Sequence, residues 1–132
     1  MRALIVDDSE TMRIVVAQYL LEIGLTGLDE AGDGLQALRL LRENEYDCVF
    51  LDLNLPLLDG VALLRAVRAE GNAVPVIVVT TERCRVVEAV RAGANEYVLK
   101  PFDKEMLARK VKAVLGSELS PLRSTAQQAL RV

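Results

Sequence analysis

The chain has 132 residues, of which 52% are hydrophobic and 27% charged, and its 16 Lys and Arg against 19 Asp and Glu give a net charge of −3. A chain of this length fits one domain that needs neither a disulfide nor a metal to fold. The acidic balance argues against a general binder of nucleic acids or anionic membranes. The sequence contains no histidine, which excludes a Ser-His-Asp triad or a histidine-ligated zinc site within the chain.

The N-terminal segment and the cysteines predict a cytoplasmic protein. The apolar run that follows Met1 is too short for a signal peptide, and no run of ~18 apolar residues predicts membrane insertion. Cys48 and Cys84 form no metal-binding cluster in the sequence. We favour reduced thiols over a structural disulfide.

Five short apolar runs alternate with five amphipathic segments along the chain. Apart from the second and weaker one at residues 25–30, the runs show no alternation of polar and apolar residues, which is typical of strands buried on both faces of a parallel sheet. Five βα units are too few for a closed eight-stranded barrel. The sequence therefore predicts an α/β fold, with a doubly wound open sheet of five parallel strands. The predicted strands are residues 3–6, 25–30, 48–51, 76–79 and 96–99.

Helix boundaries follow from capping residues and glycines. Ser9 is the predicted N-cap of the first helix, Gly24 ends that helix, and the last helix begins near Asp103. Helical spacing predicts which apolar side chains face inward. For the second, fourth and last helices these are Leu35, Leu38 and Leu41; Val86, Val87 and Val90; and Met106, Leu107, Val111, Val114 and Leu115. We predict a domain over residues 1–116 and a tail or the start of a linker over residues 117–132.

Four of the five predicted strands end in a residue with a reactive or charged side chain. Asp7 and Asp8 come after the first, Asp52 after the third, Thr80 after the fourth and Lys100 after the fifth. A parallel sheet places all these strand ends at one edge. Each residue alone has an ordinary explanation, such as an acidic helix start, a turn or a solvated lysine. Their coincidence favours a functional site.

The chemistry of this set is that of phosphoryl transfer to a carboxylate. Three neighbouring carboxylates repel one another unless a cation lies between them, and the oxygens of Asp7, Asp8 and Asp52 suit Mg²⁺. A carboxylate is also a nucleophile towards phosphorus, and the transferring group needs a metal, an ammonium and a hydroxyl nearby. Lys100 and Thr80 supply the last two groups. The set predicts an aspartyl phosphate formed without any histidine of this chain.

Several motifs together give this sequence a family resemblance. They are Val6-Asp7-Asp8-Ser9, the segment LDLNLPLLDG at residues 51–60, Val79-Thr80, Ala92-Gly93-Ala94 and Leu99-Lys100-Pro101-Phe102. Through these motifs residues 3–116 resemble a response-regulator receiver domain, and in particular the chemotaxis regulators of the CheY type. The resemblance implies a flavodoxin-like sheet of strand order 2-1-3-4-5. It also implies a signalling phosphoacceptor that catalyses only its own phosphorylation and dephosphorylation.

The resemblance implies a role for each residue at the strand ends. Asp52 is the phosphoacceptor, and Lys100 contacts the phosphoryl group. Mg²⁺ is held by Asp8, Asp52 and the backbone carbonyl of Asn54, with Asp7 contributing through water.

The resemblance also implies which residues take part in switching and in dephosphorylation. Thr80 moves towards the phosphoryl group, and the aromatic switch Tyr97 turns inward. The surface of the fourth helix, fifth strand and fifth helix then changes shape. Asn54 and Glu82 tune the rate at which water removes the phosphate.

The resemblance places the donor histidine on a sensor histidine kinase or a histidine phosphotransfer protein. The output is a downstream protein target or a linked effector domain, with no direct binding of nucleic acid. A monomer and a phosphorylation-dependent homodimer both remain open, and Arg83, Arg85 and Arg91 are expected to be exposed, either paired across such an interface or solvated.

Two departures from the family pattern bear on the switch. Thr81 stands where a smaller residue is usual, which crowds access to Asp52. The segment from Thr80 to Gly93 is shorter than in the chemotaxis regulators. This predicts a shortened loop or fourth helix.

Four alternatives remain beside the phosphoacceptor hypothesis. One is an unphosphorylated interaction module, and another is the receiver fragment of a multidomain regulator. A phosphatase of the haloacid-dehalogenase kind is disfavoured because its Asp-x-Asp motif belongs on the first strand, where Asp7 and Asp8 are adjacent. An FMN binder is disfavoured because no phosphate-cradling loop of Ser, Thr and Gly follows that strand.

Overall fold

The computed structural model describes residues 1–116; the predicted tail or linker, residues 117–132, lies outside the described residues. The strands are β1 (Arg2–Val6), β2 (Gly27–Ala31), β3 (Cys48–Leu51), β4 (Val76–Thr80) and β5 (Glu96–Leu99). They form one parallel sheet in the order β2-β1-β3-β4-β5. The α/β fold and the strand order implied by the family resemblance are confirmed.

Five α-helices, one after each strand, cover both faces of the sheet. They are α1 (Glu10–Ile23), α2 (Gly34–Glu43), α3 (Gly60–Ala69), α4 (Val86–Arg91) and α5 (Lys104–Leu115), with a 3₁₀ turn at Arg83–Arg85 before α4. Helices α1 and α5 pack on one face, and α2, α3 and α4 pack on the other. Both faces of the central strands are thereby removed from water, which is why their sequences are continuously apolar.

Each face of the sheet contributes to its own apolar core, because successive side chains of a strand point to opposite faces. On the first face Ile5, Phe50 and Ile77 contact the buried side chains of α1 and α5. On the second face Leu4 and Val49 contact those of α2 and α3. Each fully buried Leu, Ile or Phe contributes roughly 1.5–3 kcal/mol to folding. The two cores hold the strand ends in fixed register.

Side-chain caps determine where the helices begin. In α1 the Ser9 hydroxyl accepts the Met12 N–H at 3.2 Å, and in α5 the Asp103 carboxylate accepts the Met106 N–H at 2.8 Å. Both starts agree with the prediction from sequence. The carboxylates of Asp33 and Asp59 cap α2 and α3 in the same way. Such a cap typically contributes ~1 kcal/mol.

The prediction for the start of the second strand is wrong. The strand begins at Gly27 rather than at Leu25. The N–H groups of Gly24 and Leu25 both bond to the Leu20 carbonyl, so Leu25 belongs to the turn that ends α1. Gly24 permits this turn because its φ is 120°, a value that other residues rarely adopt.

The inward faces predicted for α2, α4 and α5 are partly wrong, and on α5 it is Met106 that is exposed. Leu35 is exposed, whereas Leu41 is buried as predicted. Val87 and Val90 are also exposed, and the fourth helix buries Val86 and Ala89 instead. Its six residues form little more than a single turn and a half, so only one pair at i, i+3 spacing faces the sheet. The brevity of α4 agrees with the shortened segment expected from the sequence.

Both cysteines are free thiols, as favoured from the sequence, and they differ in environment. Cys48 is buried in β3, whereas Cys84 is exposed in the turn before α4. Burial raises the pKa of the Cys48 thiol to about 12, so this group has almost no thiolate at neutral pH. Within residues 1–116 no helix is long and apolar enough to cross a membrane.

We expect a disulfide-exchange reagent to modify Cys84 rapidly in the native protein and Cys48 only after unfolding. Exposure decides this difference, because the thiolate must reach the reagent. Intact-mass spectrometry checks it, with one adduct expected in buffer and two in denaturant. Equally fast formation of both adducts in buffer would contradict the buried position of Cys48.

Candidate functional site

The carboxyl ends of β1, β3, β4 and β5 bring the predicted site residues to one edge of the sheet. Asp7 directly follows β1, and its N–H bonds to the Ala31 carbonyl at 3.1 Å. Asp52 directly follows β3, and its N–H bonds to the Val6 carbonyl at 2.9 Å. Lys100 follows β5, and its N–H bonds to the Thr80 carbonyl at 2.8 Å. Sheet-type hydrogen bonds therefore extend one residue beyond the strands and fix these backbones.

Asp7, Asp8 and Asp52 form an acidic cluster. One carboxylate oxygen of each residue lies within 4.8 Å of the other two. Asp7 and Asp52 are buried and Asp8 is exposed, so the cluster is open to solvent on one side. Three hard oxygen donors at this separation match the donor preference of Mg²⁺. The donor set therefore fits a divalent cation.

Lys100 is the cation that faces this cluster. Its Nζ lies 2.8 Å from Asp7 Oδ2 and 3.4 Å from Asp52 Oδ2, and its side chain is only 14% exposed. Burial raises the pKa of Asp52 above its ordinary value, and the nearby Asp7 carboxylate adds to this, while Lys100 opposes both. Lys100 therefore offsets part of the repulsion between the two buried carboxylates.

Thr80 is completely buried at the end of β4. Its Oγ1 accepts a hydrogen bond from the Glu82 N–H at 3.1 Å. The hydroxyl thus bonds to the start of the loop after β4 rather than to a carboxylate of the cluster. Thr81 is exposed beside it.

Asn54 and Glu82 join the loops that follow β3 and β4. Asn54 Nδ2 donates to Glu82 Oε1 at 3.0 Å. The backbone N–H of Asn54 donates to Asp52 Oδ1 at 3.3 Å. This pair therefore stands next to Asp52, on the side where the site meets solvent.

Tyr97 lies apart from the acidic cluster, on β5. Its side chain is 40% exposed, and Lys110 Nζ lies 5.0 Å from the centre of its ring. Beside the ring is a groove of about 300 Å³, which Val86, Val87 and Leu99 help to line. The Tyr97 ring therefore lies at the surface, at the side of a groove that has room for it.

Sequence reasoning missed the role of Arg85, which it treated as an exposed charge. The side chain is 22% exposed, and its guanidinium binds both carboxylate oxygens of Asp59, at 2.9 and 2.6 Å. The expectation that Arg85 is an exposed, solvated side chain is therefore wrong, because its guanidinium is paired within the chain. Arg83 and Arg91 are exposed as expected. No local signal marks the Arg85 contact, because Asp59 lies on a different loop.

The family model for the response regulator receiver domain matches residues 3–112. The chain belongs to this family. It is therefore the phosphoacceptor type of domain found in two-component signalling systems. The family resemblance found in the sequence motifs is confirmed.

Relatives of this receiver domain include chemotaxis proteins. It is 42% identical over 118 residues to the chemotaxis protein CheY of Pseudomonas aeruginosa, covering 86% of this chain and 95% of that protein. It is 39% identical over 118 residues to CheY-3 of Vibrio cholerae, covering 86% of this chain and 91% of that protein. The similarity spans nearly the whole length of these relatives.

Solved structures similar to this receiver domain have the same fold. The chemotaxis response regulator CheY4 of Vibrio cholerae has a TM-score of 0.79 and 30% identity, over 86% of this chain and 97% of that one. The receiver domain of a sensor histidine kinase from Pseudomonas aeruginosa has a TM-score of 0.80 and 32% identity, over 88% of this chain and 98% of that one. That structure contains a magnesium ion coordinated in its active-site cleft.

Proposed function

We propose that Asp52 is the residue that accepts the phosphoryl group. The observation that carries this proposal is the position of its buried carboxylate, within 4.8 Å of oxygens of Asp7 and Asp8 and 3.4 Å from the Lys100 ammonium. A carboxylate held among oxygen donors and a cation has the surroundings that a nucleophile towards phosphorus requires. Asp7 is held more tightly, by Lys100 at 2.8 Å and the Ser9 N–H at 2.9 Å, than Asp52, whose bonds to Lys100 and the Asn54 N–H are 3.4 and 3.3 Å long. Asp52 is therefore the better candidate.

In the proposed transfer, the Asp52 carboxylate attacks phosphorus on a phosphohistidine of the donor protein. An Asp52 oxygen–phosphorus bond forms as the phosphorus–nitrogen bond breaks, and that electron pair stays with the donor imidazole. Asp52 must be ionised to attack, and burial disfavours that form. Lys100 helps to keep it ionised and is placed to contact an oxygen of the transferring group. The domain catalyses only this step and the later hydrolysis of the aspartyl phosphate, which releases inorganic phosphate.

We further propose Mg²⁺ as the cofactor, with Asp8, Asp52 and the backbone carbonyl of Asn54 as ligands and Asp7 acting through water. When bound, Mg²⁺ supplies positive charge that offsets the carboxylates and the charge on the phosphoryl group. Support comes from the close oxygen donors of the acidic cluster and from the magnesium ion in the related histidine kinase receiver domain.

The proposed switch is a movement of Thr80 and Tyr97. On phosphorylation the Thr80 hydroxyl would leave the Glu82 N–H and bond to the phosphoryl group, and the Tyr97 ring would enter the groove beside it. Two observations support this switch. The Thr80 hydroxyl is bonded to the Glu82 N–H in this structure, and a groove lies beside the exposed Tyr97 ring. The surface formed by α4, β5 and α5 would then change shape and bind the downstream target.

The remaining assignments follow from this role. The donor is a sensor histidine kinase or a histidine phosphotransfer protein, and the location is cytoplasmic. We propose that the domain spans residues 1–116 and that residues 117–132 are a tail or the start of a linker to an effector domain. A monomer and a phosphorylation-dependent homodimer both remain consistent with it.

Beryllofluoride, a mimic of the phosphoryl group, tests the proposal. We expect the wild-type protein to bind it in the presence of Mg²⁺, giving a bound-state resonance in ¹⁹F NMR, because the Asp52 oxygen completes the coordination of beryllium. Asp52→Asn should show no such resonance. Asp47→Asn is the control, because Asp47 lies at the opposite edge of the sheet and bonds to the Arg2 N–H.

Absence of the bound resonance in the wild-type protein would overturn the proposal. It would favour the unphosphorylated interaction module instead. Retention of the resonance in Asp52→Asn would show that another carboxylate is the acceptor.

A further inference from the structure

Arg85 joins the turn before α4 to two residues of the loop between β3 and α3. Its Nη1 and Nη2 donate to both oxygens of Asp59, in the loop between β3 and α3. Nη1 also donates to Asn54 Oδ1 at 3.1 Å. A planar guanidinium holds a carboxylate in a forked geometry that fixes its own orientation. Arg85 therefore fastens the turn before α4 to the loop that carries Asn54.

The result is an Asn54 side chain held at both ends. Its Oδ1 accepts from Arg85, and its Nδ2 donates to Glu82 Oε1 at 3.0 Å. Glu82 Oε2 in turn lies 3.7 Å from Arg85 Nε. Asn54, Glu82 and Arg85 thus form a closed triangle of contacts, which we name the loop clamp.

The loop clamp stands on the solvent side of the acidic cluster. Two of its residues are bonded to the site through their backbones. The Asn54 N–H donates to Asp52 Oδ1, and the Glu82 N–H donates to Thr80 Oγ1. The Asp52 side chain next to the loop clamp is only 10% exposed. The loop clamp therefore borders one approach of water to a phosphoryl group on Asp52, while the side of the cluster at Asp8 stays open to solvent.

We propose that Arg85 is a positioning residue that holds Asn54 and Glu82 across one approach to Asp52 and so slows hydrolysis of the phosphoryl group. This inference rests on the proposed function of Asp52. In the hydrolysis, the water oxygen bonds to phosphorus and the bond between phosphorus and the Asp52 oxygen breaks. The electron pair returns to the Asp52 carboxylate, a water proton leaves to solvent, and inorganic phosphate is released.

The contacts favour slowing over assistance. An attacking water needs a polar group to hold it in line, and the clamp uses one N–H of Asn54 Nδ2 and one lone pair of Oδ1, which fixes the direction of the amide and leaves fewer positions for such a water. The Glu82 carboxylate is held by Asn54 and faces Arg85. Without Arg85 the Asn54 oxygen loses its partner and the two side chains separate. More water then reaches the phosphoryl group, and some of it is bound in place by the released groups.

The test uses the full chain, labelled with a ³²P small-molecule phosphodonor and Mg²⁺ and then freed of donor. Loss of label is followed with time. We expect Arg85→Ala to lose phosphate about fivefold faster than wild type, the change that one lost hydrogen bond gives. Arg85→Lys should be accelerated similarly, because an ammonium keeps the charge but not the fork. If Arg85→Ala does not fold, the Arg85→Lys variant still tests the proposal. Arg83→Ala, in the same turn but exposed, is the control and should match wild type.

A second arm separates positioning from a general effect on the fold. In a protein that carries Asn54→Ala and Glu82→Ala, we expect Arg85→Ala to cause no further acceleration. The inference is overturned if Arg85→Ala loses label at the wild-type rate or more slowly, or if its effect persists undiminished in that background. A wild-type rate in Arg85→Lys would also overturn it, because charge alone would then suffice. If the wild-type protein takes up no label at all, the proposed function of Asp52 is overturned, and the inference about Arg85 falls with it. The other outcomes all come from proteins that do take up label, so the two failures can be told apart.

Discussion

Replacing Lys100 by methionine is expected to lower the free energy of unfolding by about 3 kcal/mol in the absence of Mg²⁺. Methionine keeps most of the length of the side chain and removes its charge. Asp7 and Asp52 are then left buried and facing each other without the ammonium that lies 2.8 and 3.4 Å from them. Urea unfolding monitored by circular dichroism measures the effect.

The same variant should also be phosphorylated more slowly, by about 10²-fold, because a preorganised cation is lost from the transferring group. Lys104→Met is the matched control. Lys104 pairs with Glu22 at the surface, both side chains being nearly half exposed, so its loss should change stability by no more than about 0.5 kcal/mol. A Lys100 variant as stable and as reactive as this control would contradict the role of Lys100 in the cluster.

The pH dependence of the Lys100 variant has a definite sign. The pKa of Asp52 is raised above its ordinary value of 3.8, and removing Lys100 removes a cause that lowers it. A raised carboxyl pKa in the folded state contributes stability below the ordinary pKa, and this contribution is lost as pH rises through the raised pKa. The deficit of Lys100→Met should therefore be larger at pH 7 than at pH 4.

Gly34→Ala is expected to cost about 3 kcal/mol of stability, through overpacking against a backbone that cannot move aside. Gly34 is the first residue of α2, and its N–H bonds to the Pro56 carbonyl at 3.3 Å. A Cβ atom at this position would overlap the carbonyl oxygen of Leu58, closer than real Cβ atoms approach. The helix and the loop between β3 and α3 would have to separate.

Thermal unfolding of Gly34→Ala beside Gly32→Ala isolates this contact. A Cβ on Gly32 would have its nearest neighbour, the Arg13 side chain, at 3.4 Å, so that variant should behave nearly as wild type. The same loop carries Asn54, and Gly34→Ala should therefore also perturb phosphorylation in the protein that remains folded. Equal melting temperatures for the two variants would show that the loop yields more easily than its contacts indicate.

The sheet and the acidic cluster were predictable because the topology of a parallel sheet determines where the strand ends lie. Once the apolar runs are known to be parallel strands, Asp7, Asp52, Thr80 and Lys100 must lie at one edge, whatever the loops do. Family membership confirms the type of domain, while the separate roles of these residues stay predictions. The positions of their backbones follow from pairing between strands, which a short apolar run specifies well.

Side-chain direction on short helices was less predictable. In α4 the three valines are all apolar, and a sequence pattern cannot show that the smaller Ala89 takes the inward position beside Val86. That choice is made by the space above the sheet. Val87 and Val90 then point to solvent despite their hydrophobicity.

The contacts of Arg85 were not predictable from sequence for a different reason. Its partners Asn54 and Asp59 lie on another loop, 31 and 26 residues away along the chain. No periodicity relates them, and an arginine in a charged segment is typical of a solvated surface. Only the packing of α3 and α4 beside each other brings the guanidinium to the carboxylate.

The buried hydroxyl of Thr80 has a consequence for background signalling. The resting position of Thr80 is held in part by one neutral hydrogen bond from the Glu82 N–H, worth about 1 kcal/mol, or roughly a fivefold preference. If Thr80 is the switch, so small a preference leaves an unstimulated cell with a basal fraction of active molecules unless packing adds to it. The basal fraction is then set by how tightly the loop after β4 holds the Thr80 hydroxyl.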